Sequence, residues 1–501
     1  MATRSKSRRS NSSRRPAGSR AVSAGSSPAT AGATSKVLLV NMIPKSLSSE
    51  TNQDSEPNIA VNPQNPDQIV ATAFTPDPAG GDFAPIYVSG DGGKTWALNS
   101  IVPSESITGD ISVAFSPKSS TFYAGILSFP APEDDTILKI LRTSNVASSK
   151  PMTMLSTRNG VDQPFVLAGV NNNGKNDRVY IGDNDLATGT KTSTVDACLT
   201  ATQAKAKFKS MRVDQVGGPD QNGPQVRPAC HSDGTVYVTF YRWLAQSGNF
   251  RANTLTVTAD VVVVRDDNGA SKNPAFSGLK DTDGTVGRRV ATHVQFPFHS
   301  RGQSVPGQQR RGGDLAIAVD PKNSDNVYLA WSAVDKVTGY TLHLRRSTDR
   351  GVTWSPNDLR TITEALNPAL AINKNGQVGF LYQQLTGSGA SARWETHLRR
   401  SLDDSGGHWD DLVLASVPAT TPSVAFPVGF DPYIGDYVGM VSVGADFFGA
   451  FCANNTPDPA NFPNGVIFQR NHDFSTRRLL DLSGKTVATS IDPFFFRVLG
   501  S

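Results

Sequence analysis

The feature that most constrains this chain is a short pattern that occurs three times, each time after a β-type run. It reads Ser89-Gly-Asp91-Gly-Gly-Lys-Thr-Trp96, then Ser347-Thr-Asp349-Arg-Gly-Val-Thr-Trp354, and more loosely Ser401-Leu-Asp403-Asp-Ser-Gly-Gly-His-Trp409. A serine, an aspartate two residues on, a glycine and then a tryptophan describe a tight hairpin turn. The aspartate accepts hydrogen bonds from turn amides, the glycine takes positive φ, and the tryptophan packs under the loop. Asp91, Trp96, Asp349, Trp354, Asp403 and Trp409 are therefore read as fold staples rather than as chemistry.

A second element precedes these turns. Glu56-Pro-Asn-Ile-Ala-Val, Asp110-Ile-Ser-Val-Ala-Phe, Asp162-Gln-Pro-Phe-Val-Leu, Gln225-Val-Arg-Pro-Ala, Asp314-Leu-Ala-Ile-Ala-Val, Asn367-Pro-Ala-Leu-Ala-Ile and Asp436-Tyr-Val-Gly-Met each open a strand hairpin. Glu56 to Asp91 and Asp314 to Asp349 are both 35 residues apart, and Asn367 to Asp403 is 36. A self-similar unit of about 50–60 residues holding four strands is a propeller blade, and radial closure removes exposed sheet edges. The 44 glycines and 32 prolines agree, since short strands need many turns. The expected fold is all-β: a β-propeller of about seven four-stranded blades, with six as the alternative because the unit at 161–222 is the most eroded. Blades are placed near 55–108, 109–160, 161–222, 223–311, 312–366, 367–432 and 433–480, and either the run 490–498 or the run 36–41 is expected to supply the strand that closes the ring.

The form S/T-x-D-x-G-x-T-W is the Asp box. With repeats over about residues 50–480, the chain resembles sialidases and the wider Asp-box (bacterial neuraminidase repeat) propeller superfamily. That superfamily holds glycosidases together with non-catalytic sorting and assembly factors. The resemblance implies a carbohydrate-acting protein, an exo-glycosidase or a glycan binder using the channel mouth. The alternative it leaves open is a non-catalytic interaction scaffold. Sialidases hold the substrate carboxylate with an arginine triad and use an aspartate acid/base with a tyrosine nucleophile. The stretch nearest to their Arg-Ile-Pro is Ala84-Pro-Ile-Tyr-Val-Ser89, so no triad arginine is carried over by motif.

Residues that open equivalent innermost strands of a propeller form a ring at one mouth of the channel. The repeats put Glu56, Asp110, Asp162, Gln225, Asp314, Asn367 and Asp436 in that ring, with Arg227 and Tyr433 beside it. Five carboxylates so crowded repel one another, which raises some of their pKa values. The ring suits a carboxylate pair acting on a glycosidic bond as acid and as base or nucleophile. Tyr433 beside Asp436 is a candidate nucleophile pair, and Arg227 a candidate substrate ligand. The ring also suits capture of a cation such as Ca²⁺, although the reading requires no cofactor and assigns no metal ligands. The competing reading is structural, with each polar residue capping its own strand. His343-Leu-Arg-Arg346 and His397-Leu-Arg-Arg400 lie one blade step apart and are read as repeat identity with inter-blade ion pairs. The insertion at 266–311, with Arg288, Arg289, Arg301, Arg310 and Arg311, reads as a loop able to bind an anion.

The net charge of +4 is unevenly spread, because Arg4, Lys6, Arg8, Arg9, Arg14, Arg15, Arg20 and Lys36 put eight cations and no acid into the first 36 residues. Residues 1–35 are expected to be a disordered basic arm that contacts a polyanion or a partner protein, and residues 36–501 the propeller. Cys198, Cys230 and Cys452 form neither a disulfide framework nor a zinc spacing. No stretch approaches the ~20 apolar residues of a membrane span. The first apolar run, Val37 to Val40, is too short for a signal peptide. A soluble protein is expected, cytoplasmic or exported by a non-classical route, acting on a glycan or glycoconjugate.

Overall fold

A computed structural model describes residues 37–74, 83–104, 109–129, 136–170, 176–187, 192–216, 225–249, 252, 254–298, 312–335, 339–403, 407–419 and 434–500. The basic arm, Arg301, Arg310, Arg311 and Tyr433 lie outside the described residues.

Alternation of apolar residues at period two builds strand after strand, and among the described residues these assemble as six four-stranded antiparallel sheets, one five-stranded sheet and one small three-stranded sheet. Blade 1 is Ser55–Val61, Ile69–Phe74, Phe83–Ser89 and Ala97–Pro103; blade 2 is Ile111–Phe115, Phe122–Ser128, Ile137–Thr143 and Thr153–Asn159. Blade 3 is Val161–Val170, Asp177–Asp185, Thr192–Cys198 and Lys209–Arg212; blade 4 is Arg227–Cys230, Val236–Ser247, Thr256–Asp266 and Arg288–Pro297. Blade 5 is Leu315–Val319, Val327–Asp335, Gly339–Ser347 and Arg360–Thr363; blade 6 is Ala365–Ile372, Val378–Thr386, Arg393–Ser401 and Trp409–Pro418. The first strand of each blade touches the first strand of the next, and that of the seventh returns to Ser55–Val61. The protein is a seven-bladed β-propeller. No described helix is long and apolar enough to cross a membrane.

The seventh blade departs from the expected 433–480. It takes Gly439–Val443 and Asp446–Asn454, then the C-terminal Ile491–Val498, then the N-terminal Val37–Asn41, with Ile467–Phe468 added in parallel. Both candidate closing runs are therefore used, one beside the other. The hydrophobic pattern explains why. Phe494 and Phe496 point into the core shared with blade 6, beside Trp394 and Leu398, while Phe495 points into the core shared with blade 1, beside Trp96 and Tyr87. Alternate residues of Ile491–Val498 thus feed two cores, and the strand pairs with Asp446–Asn454 on one edge and with Val37–Asn41 on the other. The run 472–487 forms a separate small sheet instead.

The turn at Ser89–Trp96 shows what the repeated pattern does. Asp91 Oδ1 accepts from Lys94 N and Thr95 N at 3.0 Å each, and Oδ2 accepts from the Thr95 hydroxyl at 2.6 Å. Ser89 Oγ accepts from Gly93 N at 2.9 Å, and Trp96 Nε1 donates to Gly93 O at 3.0 Å. Gly93 has φ +89, and a Cβ there would lie 2.0 Å from the Phe495 ring, so the turn and the closing strand admit only glycine. Asp349 repeats the pattern with Thr353, and Ser347 with Gly351.

Candidate functional site

Hydrogen bonds between blades fix which residues are equivalent. Asn58 Oδ1 accepts from Val113 N at 3.2 Å, and Ser112 Oγ accepts from Val166 N at 2.8 Å, so Asn58, Ser112 and Phe165 match from blade to blade. Two residues earlier stand Glu56, Asp110 and Gln163. Asp162, placed in the ring from sequence, is thus one residue out of frame. It sits partly exposed beside the position that Gln163 fills. The proline carries the true frame: Glu56-Pro57, Gln163-Pro164 and Asn367-Pro368 each combine a positive φ (54°, 51° and 54°) with a local register shift.

The structure buries Glu56, Asp110, Asp314 and Asp436, each less than a tenth exposed, with Gln225 and Asn367 among them. They do not line an open bowl. The segment Gly435-Asp436-Tyr437, which leads into blade 7, runs among them and is bonded to four blades. Asp436 N donates to Glu56 Oε1 of blade 1 (3.3 Å), and Tyr437 Oη to Asp110 Oδ1 beside blade 2 (2.7 Å). Gln225 Nε2, at the start of blade 4, donates to Asp436 O (2.9 Å), and Asn367 Nδ2 of blade 6 to Gly435 O (2.9 Å). Gly435 has φ +93 and packs so close to Glu56 that a Cβ would lie 2.4 Å from its amide nitrogen.

Asp314 is held differently. Its Oδ2 accepts from Tyr340 Oη at 2.7 Å, and its amide donates to Ser332 Oγ at 3.0 Å. Burial pushes its carboxyl up to about 6, with Asp436 adding to the rise, against the opposing pull of Tyr340, Ser332 and Arg227. Burial likewise lifts the Tyr437 hydroxyl well above its ordinary value, helped by Asp110 and Glu56.

Below this ring a channel of about 170 Å³ is walled by all seven innermost strands, among them Ile59, Val113, Val166, Ile317 and Leu370. Arg227 is its one charged wall residue among the described residues. The guanidinium carbon lies 3.5 Å from the centre of the Phe165 ring and 5.7 Å from that of Tyr437, which meets Phe165 edge-on. Its Nε donates to Gln225 Oε1 at 3.0 Å. Among the described residues no carboxylate forms an ion pair with it. Burial pushes the guanidinium down to about 9, which still leaves it cationic at neutral pH. Phe165 and Tyr437 were not singled out as its cradle from sequence, yet a signal exists. At the position where Asn58 and Ser112 supply an acceptor, blade 3 has phenylalanine, and the next strand has Pro228, which has no N–H to satisfy.

Four other polar groupings stand outside the channel. Arg158 of blade 2 meets Asp183, Asp185 and Asp196 of blade 3 at 3.2, 2.7 and 2.7 Å. Asp196 lies inside the strand Thr192–Cys198. His343 and His397 each bond an aspartate, Asp358 and Asp411, which also binds Arg345 or Arg399 of the same blade. Those ion pairs are within blades, not between them as expected. Arg288 and Arg289 belong to the outer strand of blade 4 and are paired with Asp281. The fourth grouping joins Glu50, Asp54 and Asp492 to Arg470 at the ring closure.

No family model matches the sequence, and no curated protein sequence matches it. Among solved structures, the chain is similar to an α-L-arabinanase of Penicillium chrysogenum complexed with arabinobiose (12% identity, 92% of this chain and 98% of that one, TM-score 0.41). It is similar to Chaetomium thermophilum Sqt1 bound to the N-terminus of ribosomal protein L10 (13%, 82% and 87%, 0.39). It is also similar to the Trypanosoma rangeli sialidase in complex with 2,3-difluorosialic acid (10%, 92% and 58%, 0.34). Likeness at this level says nothing of activity.

Proposed function

We propose that this protein is a sialidase-like, Asp-box carbohydrate-acting propeller that takes an acidic end group of a glycan onto Arg227 in the central channel. One observation carries the reading: a guanidinium that faces the channel, is stacked on Phe165, and has no ion-pair partner among the described residues. An arginine fork fits a carboxylate bidentately, and stacking fixes its plane before the ligand arrives. The apolar wall around it strengthens that attraction. The channel volume of about 170 Å³ falls below the usual range for ligand pockets, which favours one end group over an internal stretch of polymer. Asp314, raised to about 6, is the ring carboxyl best suited to hold a proton for a leaving group, with Asp436 as the neighbouring base. A second reading is favoured by the four-blade bonding of Gly435–Tyr437, which uses ring residues as framework and suits a non-catalytic scaffold.

The test measures binding of sialylated and uronate-ended oligosaccharides, and of neutral ones, by calorimetry, alongside a panel of fluorogenic glycosides. Acidic ligands are expected to bind wild type and to lose about 10–100-fold in affinity with Arg227→Ala. Turnover that Asp314→Asn abolishes supports hydrolysis. Binding without turnover leaves a lectin-like propeller, and no preference for acidic over neutral ends overturns the proposal.

A further inference from the structure

The grouping at the ring closure lies apart from the channel. Glu50 and Asp54 come from the segment that joins Val37–Asn41 to blade 1, and Asp492 from the neighbouring strand Ile491–Val498. One carboxylate oxygen from each lies within 4.8 Å of the other two. Asp492 is fixed by Asn41 and Asn455, each at 2.7 Å, and by Arg470 at 3.0 and 2.9 Å. Tyr87 donates to Asp54 at 3.3 Å. The Arg470 side chain is wholly buried, and its second terminal nitrogen is taken by Ser48 O and Glu50 O.

Hydrogen bonding does not close at Glu50. Three carboxylates face one guanidinium, and that guanidinium is committed to Asp492. The Glu50 side chain is 5% exposed, its Oε2 stands 3.9 Å from Arg470, and that oxygen has no hydrogen-bond partner. An anionic oxygen so buried and unmatched is costly unless a proton or a cation meets it. A divalent ion would meet that oxygen, with an oxygen of Asp54 and one of Asp492 beside it. Hard oxygen donors spaced within 4.8 Å fit the ~2.3–2.6 Å bonds of Ca²⁺.

We propose that Glu50, Asp54 and Asp492 form a Ca²⁺ site that ties the N-terminal closing segment to the C-terminal strand. Such a site holds the ring shut where the chain's two ends meet, and it binds without any glycan. Because it sits on the closing strands, its ligand stabilises the folded ring by mass action.

The test uses the full chain, stripped with EDTA and dialysed, at pH 7.5. Ca²⁺ at saturation is expected to raise the melting temperature by about 2–5 °C, with Mg²⁺ weaker. Tb³⁺ is expected to give luminescence sensitised by Tyr87 and to be displaced by Ca²⁺. Glu50→Gln keeps the shape and removes a charge, so it is expected to fold, to melt no lower than stripped wild type, and to lose both responses. Asp54→Asn is a second check. A Ca²⁺ response that is equal in wild type and Glu50→Gln overturns the site. So does the absence of both a shift and Tb³⁺ luminescence in wild type, and so does a stronger response to Mg²⁺.

Discussion

The rim turn around Asp91 and the mouth around Asp314 use one kind of side chain in opposite ways. Asp91 lies where donors outnumber its oxygens. Against a modest burial penalty, hydrogen bonds from Thr95, Ser89 and Lys94 hold its carboxyl below the usual range. Asp314 lies where burial dominates, and its carboxyl is lifted to about 6. The first charge stabilises the fold. The second is tolerated by it, and a tolerated charge is free for another use.

Gly93→Ala attacks the rim most directly and is expected to have the largest effect. It combines a φ of +89 with a contact of 2.0 Å to Phe495, a residue of the closing strand. The expected loss is about 3–5 kcal/mol, read as a melting temperature lower by roughly 5–10 °C. A loss below about 1 kcal/mol would mean that the turn and the closing strand move apart freely.

Asp314→Asn breaks the comparison from the other side. A folded pKa above the unfolded one means that the native state holds its proton longer, so stability is full below about 4 and falls as pH rises through about 6. The groups facing Asp314 are Tyr340, Ser332, Tyr241, Asp436 and Arg227. The asparagine variant should lack this fall and at pH 7 should equal or exceed wild type, by at most about 3 kcal/mol. Denaturant midpoints between pH 4 and 7 decide it, and a variant less stable than wild type at pH 7 would make Asp314 a staple like Asp91.

The same contrast explains what was legible in the sequence. The turns recur because each must satisfy one local hydrogen-bond pattern, so Ser89, Asp91 and Trp96 announce themselves by spacing. The mouth is built from seven non-equivalent strand starts that answer to one another across the channel. Carboxylates alone misplace blade 3 at Asp162, while the proline after Gln163 keeps the frame. Arg227 was visible as a candidate; its stacking on Phe165 and Tyr437 was not, because those two come from blades 3 and 7. The closure site was missed because Glu50, Asp54 and Asp492 meet only once the two ends of the chain are zipped together.

Asp91→Ala comes next in size. It removes two backbone-amide bonds and two hydroxyl bonds at a half-buried turn, worth about 1–2 kcal/mol by analogy with helix caps. Unlike Asp314→Asn it should cost stability at pH 7, and opposite signs for the two variants are the comparison in its simplest form.

Asp403→Ala should have the smallest effect of the series, because the third turn keeps the aspartate and loses its setting. Asp403 accepts from Gly407 N at 2.9 Å and His408 N at 3.1 Å, but the segment 401–409 holds no threonine, and one of the aspartate's side-chain partners is the His408 ring, 86% exposed. The tryptophan is also less engaged: Trp96 is buried in the core between blades 7 and 1, whereas Trp409 is half-buried with Arg360 stacked 5.0 Å above it. A half-buried carboxylate whose partners Gly407 and His408 are exposed gains little over water. The expected cost is below about 1 kcal/mol. Melting temperatures of Asp91→Ala, Asp349→Ala and Asp403→Ala measured together should place Asp349 with Asp91 and leave Asp403 near wild type. A cost for Asp403→Ala as large as for Asp91→Ala would mean that the aspartate alone, without threonine and buried tryptophan, suffices to staple the turn.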